Sequence, residues 1–221
     1  MTWTIPNILT VMRLAAAPAV AFLFILLPRP FADWFALGLF IAAALTDYVD
    51  GYLARAWNQQ TKLGTMLDPI ADKAMVVIAI AVLLGHSSLG PWILVPGTII
   101  LFREVFVSGL REYLGDTAGT LRVTKLAKWK TLVQMVAIAV LLAQGIFEHY
   151  FGMRTWGMDA DMVQQVLAGQ VEDLGGLRML VTGDTLTTWA GLGLIWLAGA
   201  LTFVTGVDYF RKAQPYLKEP G

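Results

Sequence analysis

Apolar runs of roughly bilayer-spanning length fill most of this chain, and they constrain it to fold as helices in a membrane. Six are discernible, near residues 8–28, 32–55, 67–86, 91–112, 130–150 and 187–208. Pro28-Arg29-Pro30 and the stretch from Gly85 to Pro91 punctuate two short turns between them. Charged residues make up 14% of the chain. A soluble domain carries about a quarter. The expected fold class is therefore an all-α polytopic membrane protein with six transmembrane helices. The first run bears Asn7, Thr10 and Arg13 near its start, so an N-terminal surface helix is expected to precede the span itself. That run lacks a basic leader, and the N-terminus is expected to be retained. The chain has no cysteine, which excludes disulfides, zinc–thiolate sites, iron–sulfur clusters and cysteine nucleophiles.

Lysine and arginine set the expected orientation. Arg13, then Arg55 and Lys62, then Arg111, Arg122, Lys125, Lys128 and Lys130, and finally Arg211, Lys212 and Lys218 share one side of a six-span arrangement. The opposite loops hold Arg29, Arg154 and Arg178. The bias toward basic residues on the inner side places both termini in the cytoplasm. Residues 1–221 read as a single membrane domain. The connection 147–186 is an extracytoplasmic loop insertion in which Val163, Val166, Leu167, Val171 and Leu174 fall at helix-like spacing. Either a short surface helix or a solvated loop fits it. His86 and His149 fall at the outer ends and read as packing residues. Trp34, Trp92, Trp156 and Trp189 read as an interfacial belt.

The unusual chemistry lies at the cytoplasmic ends of the second and third runs, in DYVDGYLARAWNQQTKLGTMLDPIAD. Ionised groups at membrane depth require a compensating partner and usually mark function. Asp47 and Asp50 share a helix face, as do Asp68 and Asp72, while Asp47, Gly51 and Arg55 form one stripe. Pro69 is expected in the first turn of the third helix. Convergent carboxylates suit hard divalent cations. Two such ions can clamp a phosphate between attacking and leaving oxygens. An aspartate left partly free can serve as general base. Arg55 could pair with a phosphate or with the carboxylates. The plainer reading is a set of interfacial acids paired with Arg55, Lys62 and Lys73.

The string D-x2-D-G-x2-A-R-x8-G-x3-D-x3-D, complete here from Asp47 to Asp72, resembles the signature of the CDP-alcohol phosphatidyltransferases. The resemblance implies a six-span enzyme, commonly a homodimer, that displaces CMP from a CDP-linked lipid with an alcohol. It implies two divalent cations, Mg2+ or Mn2+, on Asp47, Asp50, Asp68 and Asp72, with Asp72 as the general base. Asn7, Thr10, Asp47, Gly51, Ala54, Arg55 and Gly64 would contact the CDP moiety. Residues 5–14, 102–112 and 125–131 look like the phosphatidylglycerophosphate synthases, a bacterial branch of that family. This implies the bacterial inner membrane, an active site facing the cytoplasm, and CDP-diacylglycerol and glycerol 3-phosphate as substrates beside membrane lipid. No nucleic acid is expected as a partner.

A phosphate-bearing acceptor also makes electrostatic sense. Arg103 sits inside an apolar run, where a cation is costly without an anion. Arg103 and Arg111 fall near one helix face, and Lys128 and Lys130 enter the next helix. Together they could hold a dianionic phosphate. Arg103 could instead pair with Glu104. The basic cluster that includes Lys125 could also anchor anionic lipid. Rival readings are a sibling transferase using serine, inositol phosphate or phosphatidylglycerol, a divalent-metal transporter, and a non-catalytic scaffold.

Overall fold

The computed structural model describes residues 4–56, 61–120 and 125–217, without the side chains of residues 48, 50–56, 116, 118, 120, 125, 127 and 128. Among the described residues every regular element is helical. They are α1 (Ile5–Leu26), α2 (Phe31–Ala56), α3 (Lys62–His86), α4 (Gly90–Leu114), α5 (Lys125–Thr155), α6 (Ala160–Ala168) and α7 (Leu177–Ala213). Short 3-10 turns follow α4 and α7. Four helical stretches, Ile5–Leu26, Gly90–Leu114, Trp129–Thr155 and Leu177–Tyr216, are long and apolar enough to cross a membrane. Large apolar side chains such as Ile25, Phe102, Val105 and Leu186 point outward. Such a surface is excluded in water and ordinary in lipid.

The six long helices form two groups. In one, α1 packs on both α2 and α3; in the other, α7 packs on both α5 and α4. Contacts of α2 with α5, and of α3 with α4 and α5, join the groups. The interior between them is built largely from small residues, including Ala17, Ala36, Ala79, Ala137 and Ala198, around Phe40, Met75, Ile80, Ile138 and Ile195. Small side chains let helix axes approach closely, so van der Waals contact replaces the missing hydrophobic drive of a bilayer. On α7, a Cβ at Gly199 would lie 3.2 Å from the Pro96 Cα, and one at Gly206 would lie 3.1 Å from the Arg103 Cγ. The backbones of α4 and α7 therefore touch, and the stem of Arg103 lies against bare α7 backbone.

Three local features differ from the sequence expectation. First, α1 is one uninterrupted helix rather than a surface helix followed by a span. The buried Asn7, Thr10 and Arg13 face α3 and α2, and the helix runs on through Pro18. Thr4 caps its start by accepting from the Asn7 N–H at 3.4 Å. Second, Pro69 lies inside α3 rather than in its first turn, because Thr61 caps that helix earlier, accepting from the Gly64 N–H at 3.0 Å. Third, the 147–186 connection is mostly helical, made of the end of α5, α6, and the start of α7. Val163, Val166 and Leu167 do lie on α6, but Gly169 takes a left-handed φ of 83° and ends it. Val171 and Leu174 lie beyond that stop, and Leu174 is exposed.

Arginines stitch this outer segment. Arg154 donates to the Gly175 carbonyl. Arg178 Nε donates to the Val166 carbonyl at 2.8 Å. The Asp173 carboxylate accepts from the Leu177 and Arg178 N–H groups at 2.7 and 3.0 Å, and the Arg178 N–H foremost holds that carboxyl below its usual range. At the same end, Arg29 grips Asp33 with two hydrogen bonds of 2.8 and 2.6 Å and donates to the His86 carbonyl at 2.8 Å. His86 stacks on Phe24. These contacts tie the ends of α1, α2 and α3 together, and they use His86 for packing.

Candidate active site

The polar centre lies where the start of α1, the end of α2 and the start of α3 meet. Asn7, Thr10 and Arg13 repeat every three residues along α1, and all are buried. Thr10 Oγ1 donates to Asp68 Oδ1 at 2.8 Å. Arg13 Nη1 donates to Asp72 Oδ1 at 2.9 Å and to Asp47 Oδ1, while its Nη2 lies 3.6 Å from Asp68 Oδ1. Asp47, Asp68 and Asp72 thus converge on one guanidinium. The side chain of Arg13 is 2% exposed, whereas the three carboxylates are each about half exposed. The acids consequently face an open side of the bundle, and the arginine backs them from within.

Asn7 is bound into this arrangement from α3. Its Oδ1 accepts from Thr61 Oγ1 at 2.8 Å, and Gly64 lies directly beneath. A Cβ at position 64 would fall 2.8 Å from that same oxygen. Gly64→Ala is therefore expected to push Asn7 off Thr61 and lower stability by about 1–3 kcal/mol, read as a drop in the thermal unfolding midpoint. An unchanged midpoint would show that Asn7 yields freely.

The remaining motif positions, Asp50, Gly51, Ala54 and Arg55, lie on α2, and their side chains fall outside the described residues. Oxygen donors of the Asp47, Asp68 and Asp72 type fit a hard divalent cation. Among the described residues, however, no three acidic or histidine groups close into a metal-holding cluster. The group that brings these carboxylates together is Arg13.

A second polar cluster lies between α4 and α5. Glu104 Oε1 accepts from Lys130 Nζ at 2.6 Å and from Arg103 Nη1 at 3.1 Å. Lys130 is buried at 5% exposure. Both helices that carry this cluster contact α3, which bears Asp68 and Asp72. Of the four cations expected to act together, the structure unites Arg103 and Lys130. The Arg111 guanidinium lies 5.3 Å from the ring centre of Tyr209 on α7. Helical side chains lean toward the N-terminus, and Arg111 reaches back onto α7 that way. The Lys128 side chain lies outside the described residues.

In the sequence Arg13 reads as an orientation charge and as one mark of a surface helix, not as a site residue. Its spacing carried a further signal: Arg13 follows Thr10 as Thr10 follows Asn7, so the three share a face. Glu104 is visible in the sequence as a possible partner of Arg103, but Lys130 as its second partner depends on how α4 and α5 both pack on α7.

Comparisons with known proteins identify the family. A family model for CDP-alcohol phosphatidyltransferases matches residues 3–167. A Cereibacter sphaeroides protein named CDP-diacylglycerol--glycerol-3-phosphate 3-phosphatidyltransferase is 58% identical over 220 residues, covering 99% of each chain. Proteins of the same name from Rickettsia bellii and Pseudomonas fluorescens are 34% and 33% identical, the first over 96% of both chains and the second over 98% of this chain and 93% of its own. The chain belongs to the CDP-alcohol phosphatidyltransferase family.

Proposed function

We propose that this chain transfers the phosphatidyl group of CDP-diacylglycerol to glycerol 3-phosphate, giving phosphatidylglycerol phosphate and CMP. The observation that carries this reading is the full-length 58% identity to a protein named for that reaction. The two adjacent polar clusters supply matching chemistry, one rich in carboxylates for a nucleotide-linked diphosphate and one holding cations for an acceptor phosphate.

Asp47, Asp50, Asp68 and Asp72 would hold divalent cations, magnesium or manganese, which when bound neutralise the diphosphate and the departing CMP. Asn7, Thr10 and Gly64 would line the nucleotide side with Gly51, Ala54 and Arg55. Arg103 and Lys130 would bind the acceptor's phosphate, with Arg111 and Lys128 at the approach to it. Asp72 would accept the proton of the primary hydroxyl of glycerol 3-phosphate. That oxygen forms a bond to the phosphorus bearing diacylglycerol, and the bond from that phosphorus to the oxygen of CMP breaks. Positioning and charge neutralisation supply most of the acceleration.

The six long helices would each cross the bilayer of a bacterial inner membrane, with both termini and the acidic cluster on the cytoplasmic side. The whole chain, 1–221, would act as one domain and pair as a homodimer.

The test is an acceptor panel with purified protein, CDP-diacylglycerol and a divalent cation. CMP release is expected with glycerol 3-phosphate, lost on chelation, and absent with serine, inositol phosphate or phosphatidylglycerol. Release with one of the others instead would keep the chemistry and overturn the acceptor. Cation flux in vesicles without any CMP release would favour a transporter. In the same assay Arg103→Ala is expected to raise KM for glycerol 3-phosphate about 10- to 100-fold, since a charge-assisted contact to phosphate is lost. KM for CDP-diacylglycerol should hold. A uniform fall in kcat with both KM values unchanged would count against a phosphate site at Arg103.

A further inference from the structure

On α5, Lys130, Gln134, Ala137, Ile138 and Leu141 are all buried, and their spacing puts them on one face. Gln134 is the one uncharged polar residue in that set, one turn deeper than Lys130. It is 2% exposed, and its Oε1 has no hydrogen-bond partner among the described residues. Side chains on a helix lean toward its N-terminus, and on α5 that end carries Lys130. Gln134 thus lies one turn along the same buried face from Lys130, whose ammonium bonds Glu104. Arg103 Nε on α4 and Thr202 Oγ1 on α7 are likewise buried without a hydrogen-bond partner among the described residues. Leaving such atoms unpaired is costly, and an apolar side chain of equal length would fill the same space.

Glycerol 3-phosphate has three polar parts. Under the reading above, its phosphate goes to Arg103 and Lys130, and its primary hydroxyl goes to Asp72. The secondary hydroxyl lies between them and has no partner yet. We propose that Gln134 is a specificity-determining residue that takes this secondary hydroxyl into a hydrogen bond; the proposal rests on the acceptor assignment made above. A hydroxyl both donates and accepts, so either end of the amide can serve it. A site built to pair a substrate hydroxyl rejects the analogue that lacks it, because its own polar group is then left bare.

The experiment compares glycerol 3-phosphate with 3-hydroxypropyl phosphate, which lacks only the secondary hydroxyl. Both are given to the full-length protein with CDP-diacylglycerol and magnesium, and CMP release is followed. The natural sequence is expected to prefer glycerol 3-phosphate by about 10- to 100-fold in kcat/KM. Gln134→Met should erase that preference by lowering kcat/KM for glycerol 3-phosphate alone, with KM for CDP-diacylglycerol unchanged. Gln134→Glu, which keeps an accepting oxygen, should retain the preference. Equal use of both compounds by the natural sequence overturns the proposal, and that comparison stands even if Gln134→Met fails to fold. An equal loss for both acceptors in Gln134→Met also overturns it and assigns the amide to packing or to a bound water. CMP release with neither compound, but with another acceptor, removes the acceptor reading itself and is distinguishable from lost discrimination.

Discussion

Asp72→Asn is expected to yield a protein that folds and binds CDP-diacylglycerol but releases CMP about 100- to 10,000-fold more slowly. Asn matches Asp in shape and can still accept a hydrogen bond from Arg13, which now reaches Asp72 Oδ1 at 2.9 Å. It can neither take a proton nor carry the charge that a divalent cation requires. The Asp72 side chain is 54% exposed, so the acceptor hydroxyl has access to it. Folding is checked by the thermal midpoint and binding by KM for CDP-diacylglycerol. Near-normal CMP release from the variant would remove Asp72 from the role of base.

Arg13→Ala is expected to be the most destabilising single change near the site. It removes a buried cation and leaves Asp47, Asp68 and Asp72 turned toward one another. Breaking a fully buried pair costs about 3–5 kcal/mol. The carboxylates here are half exposed and partly screened by solvent, so about 2 kcal/mol is the expected loss. The measurement is thermal unfolding in detergent at fixed divalent-ion concentration. Arg13→Lys should recover part of the loss, because a single ammonium cannot span the same carboxylates. A midpoint unchanged from the natural sequence would mean that solvent already balances the three acids.

How legible all this was in the sequence depends on the range of the interaction. The acidic motif could be read because its members lie on two consecutive helices and helical spacing alone puts them on shared faces. The helices themselves followed from apolar runs, apart from their ends. The start of α7 at Leu177 escaped notice because Gly183 and Asp184 dilute its first turns. The seats of Arg13, Glu104 and Gln134 were harder. A charge inside an apolar run announces that it needs a partner without naming it. Arg13 finds its partners more than thirty residues away, and Lys130 reaches Glu104 from another helix. Arg111 adds a partner that spacing on its own helix does not name, the ring of Tyr209 on α7.

The grouping of helices also has a consequence for biosynthesis. The described hydrogen bonds and ion pairs of the acidic cluster join α1, α2 and α3, so a ribosome has made every one of those residues before α4 begins. The cation pair beside it depends on α5, and the stem of Arg103 is seated by Gly206 near the end of the chain. Domains generally fold in the order in which they are synthesised. The carboxylate half can thus close early in the membrane, with Arg13 balancing its charge, while the Arg103–Lys130 half waits for the last helix to arrive. A nascent chain halted after α3 should therefore already protect Arg13 from solvent, whereas Arg103 should become protected only when α7 has been inserted.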